Sequence, residues 1–206
     1  IHFVHRLDRE TSGLVLIATD PETARICQAQ FGAGTVRKVY QVLVEGNFPS
    51  EPMNTEGYLM PDPDSPVRKK RRFVSSIRRD PISAGAQYCR TRFRLVKRHG
   101  KISLIEARPD TGRCHQIRAT LCSMGYPVVG DKLYGVDDTI FLRFIDDRLT
   151  SEDHARLRMH RQALHAFKLC FHHPRTGAEK AFKAACPSDI LDFQGLSPAP
   201  DSFNIP

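Results

Sequence analysis

The stretch His5-Arg6-Leu7-Asp8-Arg9-Glu10-Thr11-Ser12-Gly13 lies near the start of this 206-residue chain. It leads into the apolar run Leu14–Ala18, for which we predict a buried strand. Asp8 is flanked by Arg6 and Arg9, and positive neighbours favour the charged form of a carboxylate. An ionised Asp8 on such a loop is suited to nucleophilic attack or to stabilising a positive charge, and not to donating a proton. Taken alone, the motif favours a simpler alternative, a carboxylate that caps a turn or forms a structural ion pair.

The composition suggests a globular protein with a polyanionic partner. The chain has 31 Lys and Arg residues against 23 Asp and Glu, which gives a net charge of +8 at pH 7. Hydrophobic residues make up 40% of the chain and charged residues 26%, as in ordinary globular proteins. The length suits one domain, or one domain with a small annex.

Several classes of protein are disfavoured by what the sequence lacks. Six cysteines without a C-x-x-C pair argue against a zinc ribbon or a disulfide framework, and favour reduced thiols in the cytoplasm. The nine histidines show no zinc-site spacing, so we expect no metal. Phosphate-loop, serine-hydrolase and zinc-protease motifs are absent. No apolar run approaches the roughly 18 residues of a membrane helix, so we expect no membrane partner.

The pattern of elements predicts an α+β fold with a mixed, largely antiparallel sheet, flanking helices and long loops. Residues 47–87, rich in proline and basic residues, form either an excursion with short strands or a mobile loop. Helices are predicted from Asp20-Pro21 to Gly32 or Gly34, from Cys114 to Met124, and from a cap at Thr150 or Ser151. Strands are predicted over Val36–Glu45, Tyr88–Lys97, Ile102–Arg108, Ala166–His172 and Lys180–Ala184.

Three further segments carry candidate chemistry. Pro109–Arg118 joins a predicted strand to a helix start, where free backbone N–H groups bind anions, although it could be only a well-capped helix with a basic first turn. Tyr40 lies on a predicted strand and could present its hydroxyl to a site or belong to the core. Arg68–Arg72, with Arg78-Arg79 beyond it, could bind phosphates, form a solvated face or serve as a nuclear-localisation-like stretch.

Together these segments resemble the RluA-type family of pseudouridine synthases, because several blocks occur in the family's order across most of the chain. Residues 5–13 match H-R-L-D-x-x-T-S-G, Lys38-Val39-Tyr40 resembles K-x-Y, residues 111–118 match T-G-R-x-H-Q-I-R, residues 130–135 match G-D-x-x-Y-G, and residues 161–166 and 173–177 resemble the L-H-A and H-P-x-T-G blocks. The resemblance implies an enzyme that isomerises uridine within RNA, without metal or other cofactor. The bond between C1′ and N1 breaks, the base turns, and C1′ bonds to C5.

The resemblance also implies residue roles. Asp8 matches the catalytic aspartate, Arg118 the arginine that pairs with it, and Tyr40 the tyrosine that stacks on the base. Attack of Asp8 on C1′, attack on C6 and a glycal route all remain open. Arg6 matches the side chain that fills the gap left by the flipped base. The expected RNA-binding residues are Arg6, Arg9, Arg113, His115, Arg68, Lys69, Lys70, Arg71 and Arg72.

Family members usually carry an upstream strand with an N-K-P-x-G-like segment, which residues 1–206 do not match. We therefore expect residues 1–195 to form a catalytic domain that is incomplete at its N-terminus, and residues 196–206 to form a frayed tail. The expected protein is a cytoplasmic monomer that modifies large-subunit ribosomal RNA, with transfer RNA as the alternative. A catalytically silent RNA-binding module and a metal-dependent nuclease or phosphotransferase are the competing functions.

Overall fold

The computed structural model describes residues 1–76 and 85–193. The predicted tail at 196–206 and the basic pair Arg78-Arg79 lie outside the described residues. The strands are β1 His2–Phe3, β2 Ser12–Gly13, β3 Ile17–Ala18, β4 Arg37–Glu45, β5 Met53–Pro61, β6 Arg71–Ser75, β7 Gln87–His99, β8 Ile102–Pro109, β9 Leu164–His172 and β10 Glu179–Lys183. The helices are α1 Pro21–Gly32, α2 Gln116–Ser123, α3 Thr139–Ile145, α4 Ser151–Leu157 and α5 Ser188–Leu191.

One eight-stranded sheet organises the described part of the chain. Seven of its strands follow the order β10-β9-β4-β8-β7-β5-β6, and β2 pairs with β9. Neighbouring strands along the path run antiparallel, whereas β2 runs parallel to β9. The sheet is therefore mixed and largely antiparallel, which confirms the predicted α+β class. Within residues 47–87, β5 and β6 have nine and five residues and extend the main sheet, so the described part of this stretch contains strands, and it belongs to the sheet instead of forming a separate excursion.

The central strands and α2 share one apolar core. Val42 on β4 and Ile105 on β8 are completely buried and cluster with Ile117 and Leu121 of α2. Apolar side chains three to four positions apart put one stripe of a helix against the sheet. This packing fixes α2 and, with it, the position of Arg118.

The helix caps predicted from sequence are confirmed. The Asp20 side chain accepts a hydrogen bond of 2.8 Å from the backbone N–H of Thr23, and Pro21 occupies the first helical position of α1. Thr150 and Asp153 form a reciprocal capping box at the start of α4. Short polar side chains satisfy backbone donors that a helix start leaves unpaired, so these boundaries depend on local chemistry.

The prediction of a buried strand over Leu14–Ala18 is wrong. Only Ile17–Ala18 is a strand, and it pairs with the two residues of β1 instead of joining the main sheet. Leu14 and Leu16 pack against the small apolar cluster beside β9, whereas Ile17 is 52% exposed. The chain leaves the main sheet after β2 pairs with β9. The apolar run therefore buries only the side that carries Leu14 and Leu16.

Candidate active site

A cleft of about 100 Å³ brings together the segments that the sequence singled out. Its walls come from the loop at residues 6–11, from β4, from the turn after β8 and from the start of α2. Asp8, Tyr40 and Arg118 all line it, together with Arg6, Arg113 and His115. These six predicted site residues come from three separate segments of the chain, and the fold brings the segments together at one place.

Arg118 joins two carboxylates. Its Nη1 donates a 2.8 Å hydrogen bond to Oδ2 of Asp8, while Nε and Nη2 donate to the two oxygens of Asp131 at 2.6 and 2.8 Å. Among the described residues, no hydrogen bond reaches Oδ1 of Asp8, whose side chain is 24% exposed at the cleft. The geometry leaves one carboxylate oxygen of Asp8 available to a bound molecule.

Asp131 is the buried partner that fixes the guanidinium. Burial by itself would raise the pKa of Asp131, but the Arg118 charge and backbone N–H groups lower it below its ordinary value. Oδ1 also accepts hydrogen bonds from the backbone N–H groups of Leu133 and Tyr134, each at 2.9 Å. Burial likewise opposes the charge of Arg118, yet Asp131 and Asp8 raise its pKa. Arg118 thus stays charged beside Asp8.

Tyr40 projects from β4 into the same cleft. Burial, with a smaller contribution from the charge of Asp8, raises the pKa of Tyr40 to about 12. The phenol therefore keeps its proton at neutral pH. A neutral aromatic ring beside a carboxylate can stack on a base, and its hydroxyl can donate or accept a hydrogen bond.

His115 starts α2 in an unusual backbone conformation, with a φ of 58° and no side-chain cap. Its Nδ1 lies 3.0 Å from the hydroxyl of Tyr134, which accepts a 2.9 Å hydrogen bond from the backbone N–H of Arg71. Burial and the charge of Arg118 lower the pKa of His115. A neutral His115 can accept a hydrogen bond from the Tyr134 hydroxyl, and this contact links the cleft to the start of β6.

The loop that carries Asp8 is held on both sides. Thr11 accepts a 2.6 Å hydrogen bond from Gln162, and Ser12 Oγ lies 3.0 Å from Nδ1 of His165. Gly13 has a φ of 111°, and a Cβ there would lie 2.3 Å from the carbonyl oxygen of Ala166. Only glycine allows this close parallel pairing of β2 with β9.

Two charged residues at the site were not assigned roles from the sequence: Asp131 and Lys38. Lys38 lines the cleft, and its Nζ donates a 3.1 Å hydrogen bond to the carbonyl of Thr111. Burial lowers the pKa of Lys38, although the Asp110 charge opposes the change. Both residues lie inside blocks quoted for the resemblance, but Lys38 contacts Thr111, 73 residues away, and Asp131 contacts Arg118, 13 residues away. Position within a block was the available signal, and it does not specify a partner.

The residues predicted to bind RNA are distributed around the cleft. Arg6 and Arg113 are exposed and also line an adjoining groove of about 820 Å³. Arg9 lies over the ring of Phe144 at 4.9 Å and does not line the cleft. In the basic run, Arg68, Lys69 and Arg72 are exposed and Arg71 is partly buried. The Lys70 ammonium is paired with Asp138 at 3.0 Å and Asp62 at 3.6 Å.

Residues 1–123 match the family described as RNA pseudouridylate synthase. This match covers more than half of the chain and contains Asp8, Tyr40 and Arg118. The chain belongs to this family. The resemblance drawn from the sequence blocks is thereby confirmed.

The chain is also similar to individual members of the family. It is 36% identical over 187 residues to an uncharacterized RNA pseudouridine synthase of Chloroflexus aurantiacus, covering 91% of this chain and 50% of that protein. It is 33% identical over 197 residues to the ribosomal large subunit pseudouridine synthase C of Vibrio cholerae, covering 96% and 55% respectively. The chain spans about half the length of the curated relatives it matches.

Among solved structures, human RNA Pseudouridylate Synthase Domain Containing 1 aligns with a TM-score of 0.71 at 22% identity. The alignment covers 93% of this chain and 72% of the human chain, and it supports the fold alone. Within residues 1–76 and 85–193, no group of three or more His, Cys, Asp or Glu side chains is arranged to hold a metal ion. No helix in this part of the chain is long and apolar enough to cross a membrane.

Proposed function

We propose that this chain converts uridine to pseudouridine within RNA and that Asp8 is its catalytic residue. The observation that carries the proposal is the pairing of Asp8 with Arg118 inside a cleft that also contains Tyr40. Membership of the pseudouridylate synthase family supplies the reaction class. Asp8, Tyr40 and Arg118 together also argue against a catalytically silent RNA-binding module.

The reaction needs one carboxylate because it adds no water. Glycosidases use two carboxylates, since one must protonate a leaving group and the other must activate water or attack the sugar. Here the uracil leaves C1′ through N1 and returns through C5, so the leaving group stays in the site. The C5 proton is then released and N1 takes up a proton, so the product is an isomer of the substrate. Asp8, which has one oxygen held by Arg118, is suited to stabilise or trap the reacting centre during this exchange.

Arg118 and Tyr40 have separate roles in the proposal. Arg118 orients the carboxylate of Asp8 through a 2.8 Å ion pair. Tyr40 keeps its phenolic proton at neutral pH because its pKa is raised to about 12. It therefore packs against the base as a neutral ring. The three proposed mechanisms, attack on C1′, attack on C6 and a glycal intermediate, all use this arrangement.

RNA binding is proposed to involve base flipping, because a base within a helix cannot reach a carboxylate in a cleft. Extrusion costs a few kcal/mol, and contacts around the cleft must offset it. Arg6, exposed at the cleft, is proposed to fill the gap left by the flipped base. Arg113, His115, Arg9 and the run Arg68–Arg72 are proposed to contact phosphates or to position the RNA.

We further propose that the substrate is large-subunit ribosomal RNA, with transfer RNA as the second candidate. The name of the Vibrio cholerae relative, ribosomal large subunit pseudouridine synthase C, supports the first choice. A cytoplasmic location and a monomeric state complete the proposal. The six cysteines are free thiols, as a reducing compartment would keep them.

Asp8→Asn tests the assignment of Asp8. The variant should lose tritium release from RNA labelled at C5 of uridine, because the label leaves only when C5 bonds to C1′. RNA affinity should stay within a few-fold of the parent. Asp20→Asn is the matched control: it removes one carboxylate outside the cleft, and asparagine caps a helix as well as aspartate. Equal tritium release by Asp8→Asn and the parent would disprove the assignment.

A chelator experiment separates this proposal from a metal-dependent nuclease or phosphotransferase. Tritium release should be unaffected by a chelator once the RNA is folded in monovalent salt. Loss of the parent's activity with chelator, restored by magnesium while RNA folding is held constant, would favour the metal-dependent reaction.

A further inference from the structure

A second cavity, of about 270 Å³, lies on the opposite face of the sheet from Tyr40. Side chains alternate between the two faces along a strand, and this cavity is lined by Arg37 and Val39 of β4. The role proposed above for the cleft does not involve this side of the sheet. Its lining contains five cations, Arg37, Lys38, Arg92, Arg108 and Lys168, against two acids, Asp110 and Glu179.

The cations continue across neighbouring strands. Arg92 of β7 stands opposite Arg108 of β8, and Lys168 of β9 stands opposite Lys183 of β10. Val39 of β4, which pairs with Lys168, lies between the two cationic pairs. We call these four cations, Arg92, Arg108, Lys168 and Lys183, the rear cationic face. Neighbouring strands lie roughly 5 Å apart, so the face presents positive charge across the sheet.

The acids near this face do not neutralise it. Asp110 is shared by Arg90 and Arg92, at 2.7 and 3.1 Å. Glu106 is buried and shared by Arg94 and Arg108, at 3.2 and 3.3 Å. Each of these two carboxylates is shared by two arginines, so each group of three keeps one net positive charge, while Glu179 pairs with Arg37 at 2.8 Å. Among the described residues, no ion pair reaches the ammonium groups of Lys168 or Lys183.

The rear cavity adjoins the groove beside the cleft. Gly34, Lys38 and Asp110 line both the groove and the rear cavity. The groove in turn shares Arg6, Tyr40 and Arg113 with the cleft. An RNA strand that leaves the cleft along the groove would therefore reach the rear cavity where β4 begins, beside Lys38.

We propose that the rear cationic face binds phosphates of the same RNA strand whose target nucleotide occupies the cleft. This inference rests on the proposed function, since it takes the RNA in the cleft as its starting point. An RNA backbone fits better than an acidic protein because cations dominate the polar lining and no large aromatic or aliphatic side chain of the described residues lines the cavity; its apolar side chains are Val36, Val39, Pro109, Cys170 and Ala181. The charges are spread along a path that begins at the cleft, as a phosphate backbone requires.

Lysine footprinting of the unmodified protein tests this inference directly. An acetylating reagent is applied with and without an oligouridylate of about twenty nucleotides, longer than a typical single-stranded site. RNA should slow acetylation of Lys168 and Lys183 several-fold, as read by mass spectrometry. Lys97 and Lys101, exposed near the tip of the β7–β8 hairpin, are the internal controls. Equal acetylation of Lys168 and Lys183 with and without RNA would overturn the proposal.

Salt dependence gives a second readout. Lys168→Gln/Lys183→Gln removes two charges without breaking an ion pair among the described residues. Each single-strand phosphate contact contributes about 0.7 to the slope of log Kd against log salt, so the slope should fall by about 1.4. Affinity should weaken roughly tenfold near physiological salt. Lys97→Gln/Lys101→Gln is the matched control. If it changes the salt slope and the affinity as much as Lys168→Gln/Lys183→Gln does, RNA does not bind specifically at the rear cationic face.

The two proposals fail in different ways. A parent protein that shows the lysine protection but releases no tritium from 5-tritiated RNA would disprove the proposed function while supporting RNA binding on the rear face. A parent that releases tritium while Lys168 and Lys183 stay unprotected would disprove the rear face and leave the function supported. Far-ultraviolet circular dichroism of the double variants checks that each retains the parent fold.

Discussion

Arg118 is the central cation of the site, because one of its nitrogens donates a hydrogen bond to Asp8 and the other two donate to Asp131. The Arg118 side chain is 7% exposed and that of Asp131 is fully buried. A buried cation without a buried anion would be strongly unfavourable, so the ionic state of Arg118 depends on Asp131. Asp8 can then stay at the cleft surface, where a substrate reaches it.

Asp131→Asn tests this dependence. The variant should lose about 3–5 kcal/mol of unfolding free energy, because it leaves the Arg118 charge buried with one partner fewer. Tritium release should fall as well, since Arg118 is free to turn away from Asp8. Urea unfolding measures the first effect. Glu179→Gln is the control: it breaks an exposed ion pair with Arg37 and should lower the unfolding free energy by less than about 1 kcal/mol. Similar unfolding free energies for the two variants would contradict the role of Asp131.

The residues of the site could be proposed from the sequence, but their contacts could not. The blocks at residues 5–13 and 111–118 supplied Asp8 and Arg118, and the resemblance supplied the pairing. Nothing in the spacing pointed to Asp131, because Arg118 and Asp131 meet only when α2 and the following loop fold back together. Lys70 belongs to the basic run proposed to contact the RNA, and nothing in its sequence position indicated that its ammonium also pairs with the carboxylates of Asp62 and Asp138.

At the scale of elements, the boundaries that depend on local chemistry could be predicted and those that depend on distant pairing could not. Asp20-Pro21 and Thr150 begin helices because their side chains and ring satisfy the needs of a helix start. The run Leu14–Ala18 was predicted as a buried strand from its apolar content. Its structure instead depends on β1 and on β9, which is about 150 residues away.

Gly13→Ala tests the pairing that orients the Asp8 loop. The added Cβ would lie 2.3 Å from the carbonyl oxygen of Ala166, so β2 must move away from β9. We expect a loss of roughly 2–3 kcal/mol in unfolding free energy, as for other overpacked sites, with a clear fall in kcat. Thermal and urea unfolding, together with tritium release, measure these effects.

Gly100→Ala is the control for Gly13→Ala. Gly100 also has a positive φ, 57°, but a Cβ there meets nothing within 4 Å. This variant should lose only about 1–2 kcal/mol of unfolding free energy, because alanine disfavours a positive φ. It should leave kcat unchanged. If both variants lower kcat alike, the contact between Gly13 and Ala166 does not position Asp8.

At the scale of the whole molecule, positive charge and buried histidines set how the protein responds to salt and pH. The chain has a net charge of +8, and cations line the cleft, the groove and the rear cavity. Three histidines, His5, His115 and His165, have a pKa that the fold lowers. Burial is the largest cause that lowers the pKa of each below the ordinary value of 6.5.

These histidines predict that stability falls with acidification below about pH 6.5. In the unfolded chain they bind protons near their ordinary pKa, whereas in the folded chain they bind protons only at lower pH. The unfolded state therefore holds more protons in this window, and the unfolding free energy rises with pH across it. Each histidine contributes at most about 1.4 kcal/mol per pH unit. Urea unfolding between pH 5 and pH 7.5 measures the slope.

His165 links this pH response to the site. Its Nδ1 lies 3.0 Å from Ser12 Oγ and its Nε2 lies 3.3 Å from the carbonyl oxygen of Ala184, so the neutral ring donates to Ala184 and accepts from Ser12. Protonation removes that acceptor beside the Asp8 loop. His165→Gln should therefore flatten the slope of unfolding free energy between pH 5 and 6.5, whereas His99→Gln, at an exposed position, should not. An unchanged slope in His165→Gln would show that the acid sensitivity comes from other groups.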